Sequence, residues 1–157
     1  MSSSEIQSKN FRYHIIEGML YIGTTSALIS TQTTMPALIK RLGGGDVLVG
    51  TWPVVMYLAY FLPQVISANK SRAIQYRKPF VIRLGFIQRL NILVLACVIA
   101  LWGESFPVLA LIFLFVLFIS NQMASGSVSP VWMDFLVKTT SLENRGKLVG
   151  WRISLAA

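Results

Sequence analysis

Acidic side chains are scarce in this chain. Only 6 of its 157 residues are Asp or Glu, against 14 Lys and Arg, and charged residues together make up 13%. A soluble domain carries about 25%. The lone cysteine, Cys97, excludes a disulfide within the chain, and its place inside an apolar run predicts a buried structural thiol. His14 is the only histidine. With no HExxH, no carboxylates paired at metal spacing, no Cys/His cluster and no nucleophile elbow, hydrolytic chemistry has no residues to carry it. The one glycine-rich stretch, Gly43-Gly44-Gly45-Asp46, lacks the Lys and Ser/Thr of a phosphate loop. No enzyme activity, metal, nucleotide or haem is expected. No signal peptide is expected: the first ten residues, MSSSEIQSKN, are polar and read as a short cytoplasmic tail.

Hydrophobic residues, by contrast, make up 54% of the chain. They fall in runs of about twenty or more, the length a helix needs to cross a bilayer. A soluble domain with a large core is excluded because the charges cluster between these runs. The net charge of +8 would point a soluble protein toward nucleic acid. Here the cations sit at the ends of the runs, where they meet anionic lipid headgroups. The partner is therefore the lipid bilayer, not nucleic acid.

The fold class expected is all-α, a polytopic membrane bundle. Residues 11–137 read as four spans, at about 12–39, 47–68, 80–102 and 107–137. The first is polar at its centre, with Thr24, Thr25, Ser26, Ser30, Thr31, Gln32, Thr33 and Thr34, and is expected to end near Pro36. Such a helix belongs against protein or water. Asp46 is a candidate N-cap for the second span. That span's 22 residues give about 33 Å. Its Pro63 frees the carbonyl of Ala59, and Pro130 is expected to kink the fourth span. Residues 138–157 form a polar connection and a helix starting near Arg145. That helix reaches only about 20 Å and reads as the opening of a fifth span. On this basis the sequence is expected to be an N-terminal fragment.

Orientation follows from counting cations. Lys9, Arg12, Lys70, Arg72, Arg77, Lys78, Arg83, Lys138, Arg145, Lys147 and Arg152 flank the spans on one side, and only Lys40 and Arg41 on the other. The rule that positive loops stay inside puts the N-terminus in the cytoplasm of an integral plasma (inner) membrane protein.

Each span carries a polar stripe. In the first, His14, Glu17, Tyr21 and Thr24 share a face that Thr31 continues, with Gln32 beside it. Glu17 is a candidate for proton coupling or solute contact, or else an interfacial ion-pair member. The second span offers Tyr57, Tyr60, Gln64 and Ser67, the third Gln88 and Asn91, and the fourth Asn121, Gln122, Ser125 and Ser129. Four stripes of this kind can line a wet cavity, or they can be interhelical bonding. Arg89, deep in the third span, requires a partner or a water path. Asp134 is a candidate partner for it or for Arg83. Small residues at 124–129 predict close helix contact, and Gly146 and Gly150 do so for the incipient fifth helix.

In its layout the chain resembles the N-terminal part of a major facilitator superfamily transporter. The resemblance runs from Asn10 to Arg152 and rests on the helix and turn order, the basic Arg77-Lys78 pair closing turn 2–3, and Arg145-Gly146-Lys147-Leu148-Val149-Gly150 opening the fifth helix. Ser67-Ala68-Asn69-Lys70 departs from the family's Gly and Asp-Arg at the front of that turn. The resemblance implies a partial six-helix half that works with missing C-terminal helices. It also implies secondary transport by alternating access, driven by an ion or solute gradient, of a small-molecule substrate, with protons as a candidate coupling ion. Thr24, Thr31, Gln32, Asn121, Gln122 and Ser125 would line the cavity. Lys70, Arg72, Arg77, Lys78, Arg83, Arg89, Asp134 and Arg145 would form the gating charges. Two alternatives stand. Glu17 also fits a small four-helix proton-coupled multidrug exporter acting as a dimer, and a non-transporting structural or regulatory membrane protein would use the stripes as glue. In the four-span reading, single cysteines introduced as Ser71→Cys and Thr139→Cys are expected to label from the same membrane face. Labelling from opposite faces would contradict it.

Overall fold

The computed structural model describes residues 3–27, 30, 32–71 and 77–154, and every regular element among them is an α-helix. In chain order these are α1 (Ser3–Ala27), α2 (Thr34–Arg41), α3 (Asp46–Ser71), α4 (Arg77–Trp102), α5 (Pro107–Thr139) and α6 (Leu142–Ser154). The chain divides into two compact units. One comprises Met1–Ser30 with Met133–Ala157, and the other Thr31–Trp132. The division falls just past Pro130.

The region expected to be one long first span is two helices. Residues 3–10, read as a tail, form the first turns of α1, and α1 stops at Ala27. Residues 32 and 33 form a turn before α2. The physical reason lies in the run of hydroxyl residues, whose side chains offer the backbone alternative hydrogen bonds. Pro36 then lies in the first turn of α2, where its missing N–H costs nothing, so it opens a helix instead of closing one. Helix α2 buries Met35 and Ile39 and leaves Lys40 and Arg41 exposed. Its end is a complete reverse cap. Gly43, at φ +83°, donates to the Lys40 carbonyl (3.0 Å), and Gly44 donates to that of Ile39 (2.8 Å).

Asp46 is the first residue of α3 rather than its cap. The Gly45 carbonyl accepts from the N–H groups of Leu48 and Val49 at 3.1 and 3.3 Å, and Asp46 pairs with Lys40. A carboxylate in a first turn also suits the helix dipole. Pro79 and Pro107 lie in the first turns of α4 and α5. Helix α3 continues through Pro53 and Pro63, and α5 through Pro130.

Among the described residues, three helices are long and apolar enough to cross a membrane, over Asp46–Asn69, Arg77–Trp102 and Pro107–Thr139. This is consistent with a polytopic membrane protein. Helix α1 has 25 residues but is diluted by Arg12, His14 and Glu17.

In the second unit the inward faces recur every three or four residues. Trp52, Met56 and Ser67 are buried on α3, and Gln88, Leu95 and Val98 on α4. On α5 the buried row runs through Leu114, Phe118, Asn121 and Ser125. The opposite faces present Leu62, Val65, Phe86, Leu93 and Val116, each more than half exposed, as a lipid-facing surface requires. Cys97 is on that outer side and exposed, not buried, because two residues from Leu95 is half a turn away.

Aromatic rings lock the helix ends. Trp52 of α3 meets Phe115 edge-on (5.0 Å) and Phe118 at a tilt (5.0 Å), and Trp102 of α4 meets Phe113 of α5 (6.0 Å). Nearer the other end α3 and α5 meet through backbone. A Cβ on Gly126 would overlap the carbonyl of Tyr60, and the Ser67 hydroxyl donates to the Ser127 carbonyl. Gly126→Ala is expected to cost about 1–3 kcal/mol, the usual penalty of overpacking. Gly50→Ala, with open space around the site, should cost nothing or stabilise by up to about 1 kcal/mol. Thermal unfolding of the solubilised protein compares the two, and equal midpoints would contradict the packing described.

Candidate functional site

The site of interest is the polar layer between α4 and α5, near the middle of both helices. Two residues on α4 create it through helical spacing. Gln88 and Asn91 are one turn apart on the inward face, while Arg89, about 100° further round, points out. On α5, Ser120 and Asn121 follow directly on the apolar row that ends in Phe118. The Asn91 amide donates to the Ser120 hydroxyl (3.0 Å) and joins the helices. This contact fixes their register. Because α4 and α5 run in opposite directions, one turn back to Gln88 and one residue on to Asn121 leaves these two within about 3 Å in height.

Both are buried, each with only 7% of its surface exposed. Yet Gln88 Nε2 and Asn121 Oδ1 have no hydrogen-bond partner among the described residues. One is a donor and the other an acceptor, so the layer holds an unused pair of complementary groups. A further unused donor, Trp52 Nε1, is on α3 among the aromatic rings. Buried amides without partners are costly, about 1–3 kcal/mol each, and in native proteins they call for an explanation. Ser125, one turn beyond Asn121, is also buried, and Gln122 is half-buried.

The other expected site residues are distributed as follows. Tyr60 and Gln64 are half-buried on α3. Tyr57 is 55% exposed and stacks on Phe61 (6.1 Å), so it lies at the outer edge of its stripe. Gln32 is exposed in the turn before α2. Glu17 and Tyr21 belong to the first unit, the former half-buried and the latter 37% exposed. Thr31, Arg72 and the side chains of Thr24 and Lys70 lie outside the described residues.

Among the charged candidates, Arg77 is half-buried at the start of α4, and Lys78 and Arg83 are exposed. Arg89 donates to the Gly85 carbonyl of its own helix (2.9 Å), while Asp134 pairs with Lys138 at 3.4 Å. Arg145 lies within α6, and its guanidinium donates to the carbonyls of Val137 (2.6 Å) and Thr140 (3.3 Å). It therefore caps the C-terminus of α5, where a cation is favoured by the dipole. Gly146 and Gly150 face open space.

Several contacts were not legible beforehand. Ser120 was absent from the expected stripe although it adjoins Asn121. In the first unit His14 Nε2 bonds the Thr139 hydroxyl (3.0 Å), and its ring is edge-on to Phe135 (5.9 Å). Because that hydroxyl donates to the Phe135 carbonyl (2.9 Å), the His14 nitrogen is the donor to it. At the end of α2 Lys40 pairs with Asp46, and Arg41 lies 4.0 Å from Glu104.

The chain matches no protein-family model, and neither a curated protein nor a solved structure matches it. Among the described residues no cluster of His, Cys, Asp and Glu has the arrangement to hold a metal ion. Replacing the orphaned amide by a thioether of similar shape, Gln88→Met, is expected to stabilise the protein by about 1 kcal/mol, since it removes an unsatisfied buried group. A lowered thermal midpoint in detergent would show that the amide has a partner after all.

Proposed function

We propose that the protein is part of a secondary transporter of small molecules, working by alternating access in the manner of the major facilitator superfamily that its layout resembles. In this reading α1 supplies a fourth crossing, the N-terminus is cytoplasmic, and further helices complete the solute path. The observation that carries the proposal is a buried donor and a buried acceptor, Gln88 Nε2 and Asn121 Oδ1, with no hydrogen-bond partner among the described residues, at mid-height on neighbouring membrane-length helices. A donor and an acceptor left unused in one arrangement become available to a passing polar solute in another. Glu17 is the proton-coupling candidate. The reading in which the stripes are only glue accounts for Asn91 and Ser120, which bond each other, but gives the two amides no role.

The test is uptake into proteoliposomes containing the full-length protein, across a panel of polar solutes with an imposed ion gradient. Asn121→Leu and Gln88→Met are expected to fold and to lower uptake by about tenfold or more, equivalent to about 1.4 kcal/mol of lost interaction each. Thr51→Val, whose hydroxyl bonds only the Val47 and Leu48 carbonyls of its own helix, should leave uptake unchanged. Glu17→Gln is expected to flatten the pH dependence of uptake. No gradient-driven uptake, or full uptake in both amide variants, would overturn the proposal.

A further inference from the structure

We infer that the exposed flank of α4 carrying Gly85, Arg89, Ala96 and Ala100 seats another membrane-spanning helix, one outside residues 1–157 that bears an aspartate or glutamate opposite Arg89. The inference rests on the reading that α4 crosses the bilayer. Arg89 is the thirteenth of the helix's 26 residues, as deep as a residue of α4 can be. Its side chain is exposed, and it makes no ion pair among the described residues. Of the five N–H donors of a guanidinium, one is given to the Gly85 carbonyl. Glycine at that position provides the room, since a Cβ there would come 3.1 Å from the Arg89 nitrogen.

Depth excludes the headgroups as the missing acceptor. Folded back to the level of Gly85, the guanidinium is about 6 Å from the middle of the helix. A hydrocarbon core about 30 Å thick leaves it about 9 Å short of the headgroups. The residue also lies too far round the helix to join the layer of Gln88 and Asn91. The acids of the outer turns, Asp46 and Glu104, are at the far end of the spans with Lys40 and Arg41. A second copy docked through this same flank about a two-fold axis would bring Arg89 toward Arg89, like charge on like. A carboxylate on a foreign helix satisfies both the charge and the geometry. Ala96 and Ala100, exposed on the same flank, let that helix approach closely.

The experiment places the photoreactive residue p-benzoylphenylalanine at position 96 of the full chain in cell membranes and maps the adduct by mass spectrometry. The result expected is a cross-link to a membrane-spanning peptide outside residues 1–157 that contains Asp or Glu. Its yield should fall about tenfold or more with Arg89→Leu and be largely kept with Arg89→Lys, as for loss and retention of a desolvated charge pair. Adducts to lipid alone, to residues 1–157 of the same or a second copy, or to a helix without an acid would overturn the inference. So would a yield indifferent to Arg89→Leu. Alkaline carbonate extraction separates the two levels: release of the chain overturns the membrane reading together with this inference, whereas lipid adducts on a carbonate-resistant chain overturn this inference alone.

Discussion

Helices α3 and α5 meet backbone to backbone, and the second unit is arranged around that contact. Inside lipid, apolar side chains gain little by leaving the tails, so helices hold together through close packing and hydrogen bonds. Gly126 supplies the first by letting the Tyr60 carbonyl come within the space a side chain would fill. Ser67 supplies the second by donating to the Ser127 carbonyl. The placement beside Pro130 is physically apt. That proline lacks the N–H that would bond the Gly126 carbonyl, and the donor that α3 lends goes to the next carbonyl along, that of Ser127. The aromatic cluster of Trp52, Phe115 and Phe118 fixes the opposite end of the same pair.

Charge is distributed as sharply as packing. Lys40 and Arg41 are the two exceptions to the expected positive-inside pattern. Both have acids beside them, Asp46 for Lys40 and Glu104 for Arg41. The four charges at this end of the second unit, Lys40, Arg41, Asp46 and Glu104, thereby cancel, whereas Lys and Arg outnumber Asp and Glu at the other ends of the spans. Such exposed pairs add little stability. Their effect is on where charge resides.

The parts of the fold visible in the sequence were those set by long apolar runs and by proline. The ends of α4 and α5 at Trp102 and Pro107 fall where the turn residues put them, and the small stretch around Gly126 does make the tight contact its composition implies. The break between α1 and α2 was hidden, because a threonine-rich run is compatible both with a helix packed on protein and with an interruption. Only the tertiary position of Pro36, in a first turn, distinguishes them. The polar layer was half legible. Helical spacing brought Gln88 and Asn91 to one face and named Asn121, but the pairing of Asn91 with Ser120 depends on interhelical register, which no single-helix pattern contains. The same holds for Arg145. The resemblance names it as a gating charge, and its carbonyl partners are set by how the chain turns between α5 and α6.

That turn has a mechanical meaning. The last carbonyls of α5 are capped by a side chain from the following helix, with Arg145 reaching back to Val137 and Thr140. A helix that ends on its own glycine can fray without its neighbour noticing. Here the cap is a lever arm. If α6 swings, α5 loses its stopper, and if α5 unwinds its final turn, α6 loses its anchor. The two helices are thus coupled as a crank and its pin, so motion on one side of residues 138–141 is delivered to the other without slack.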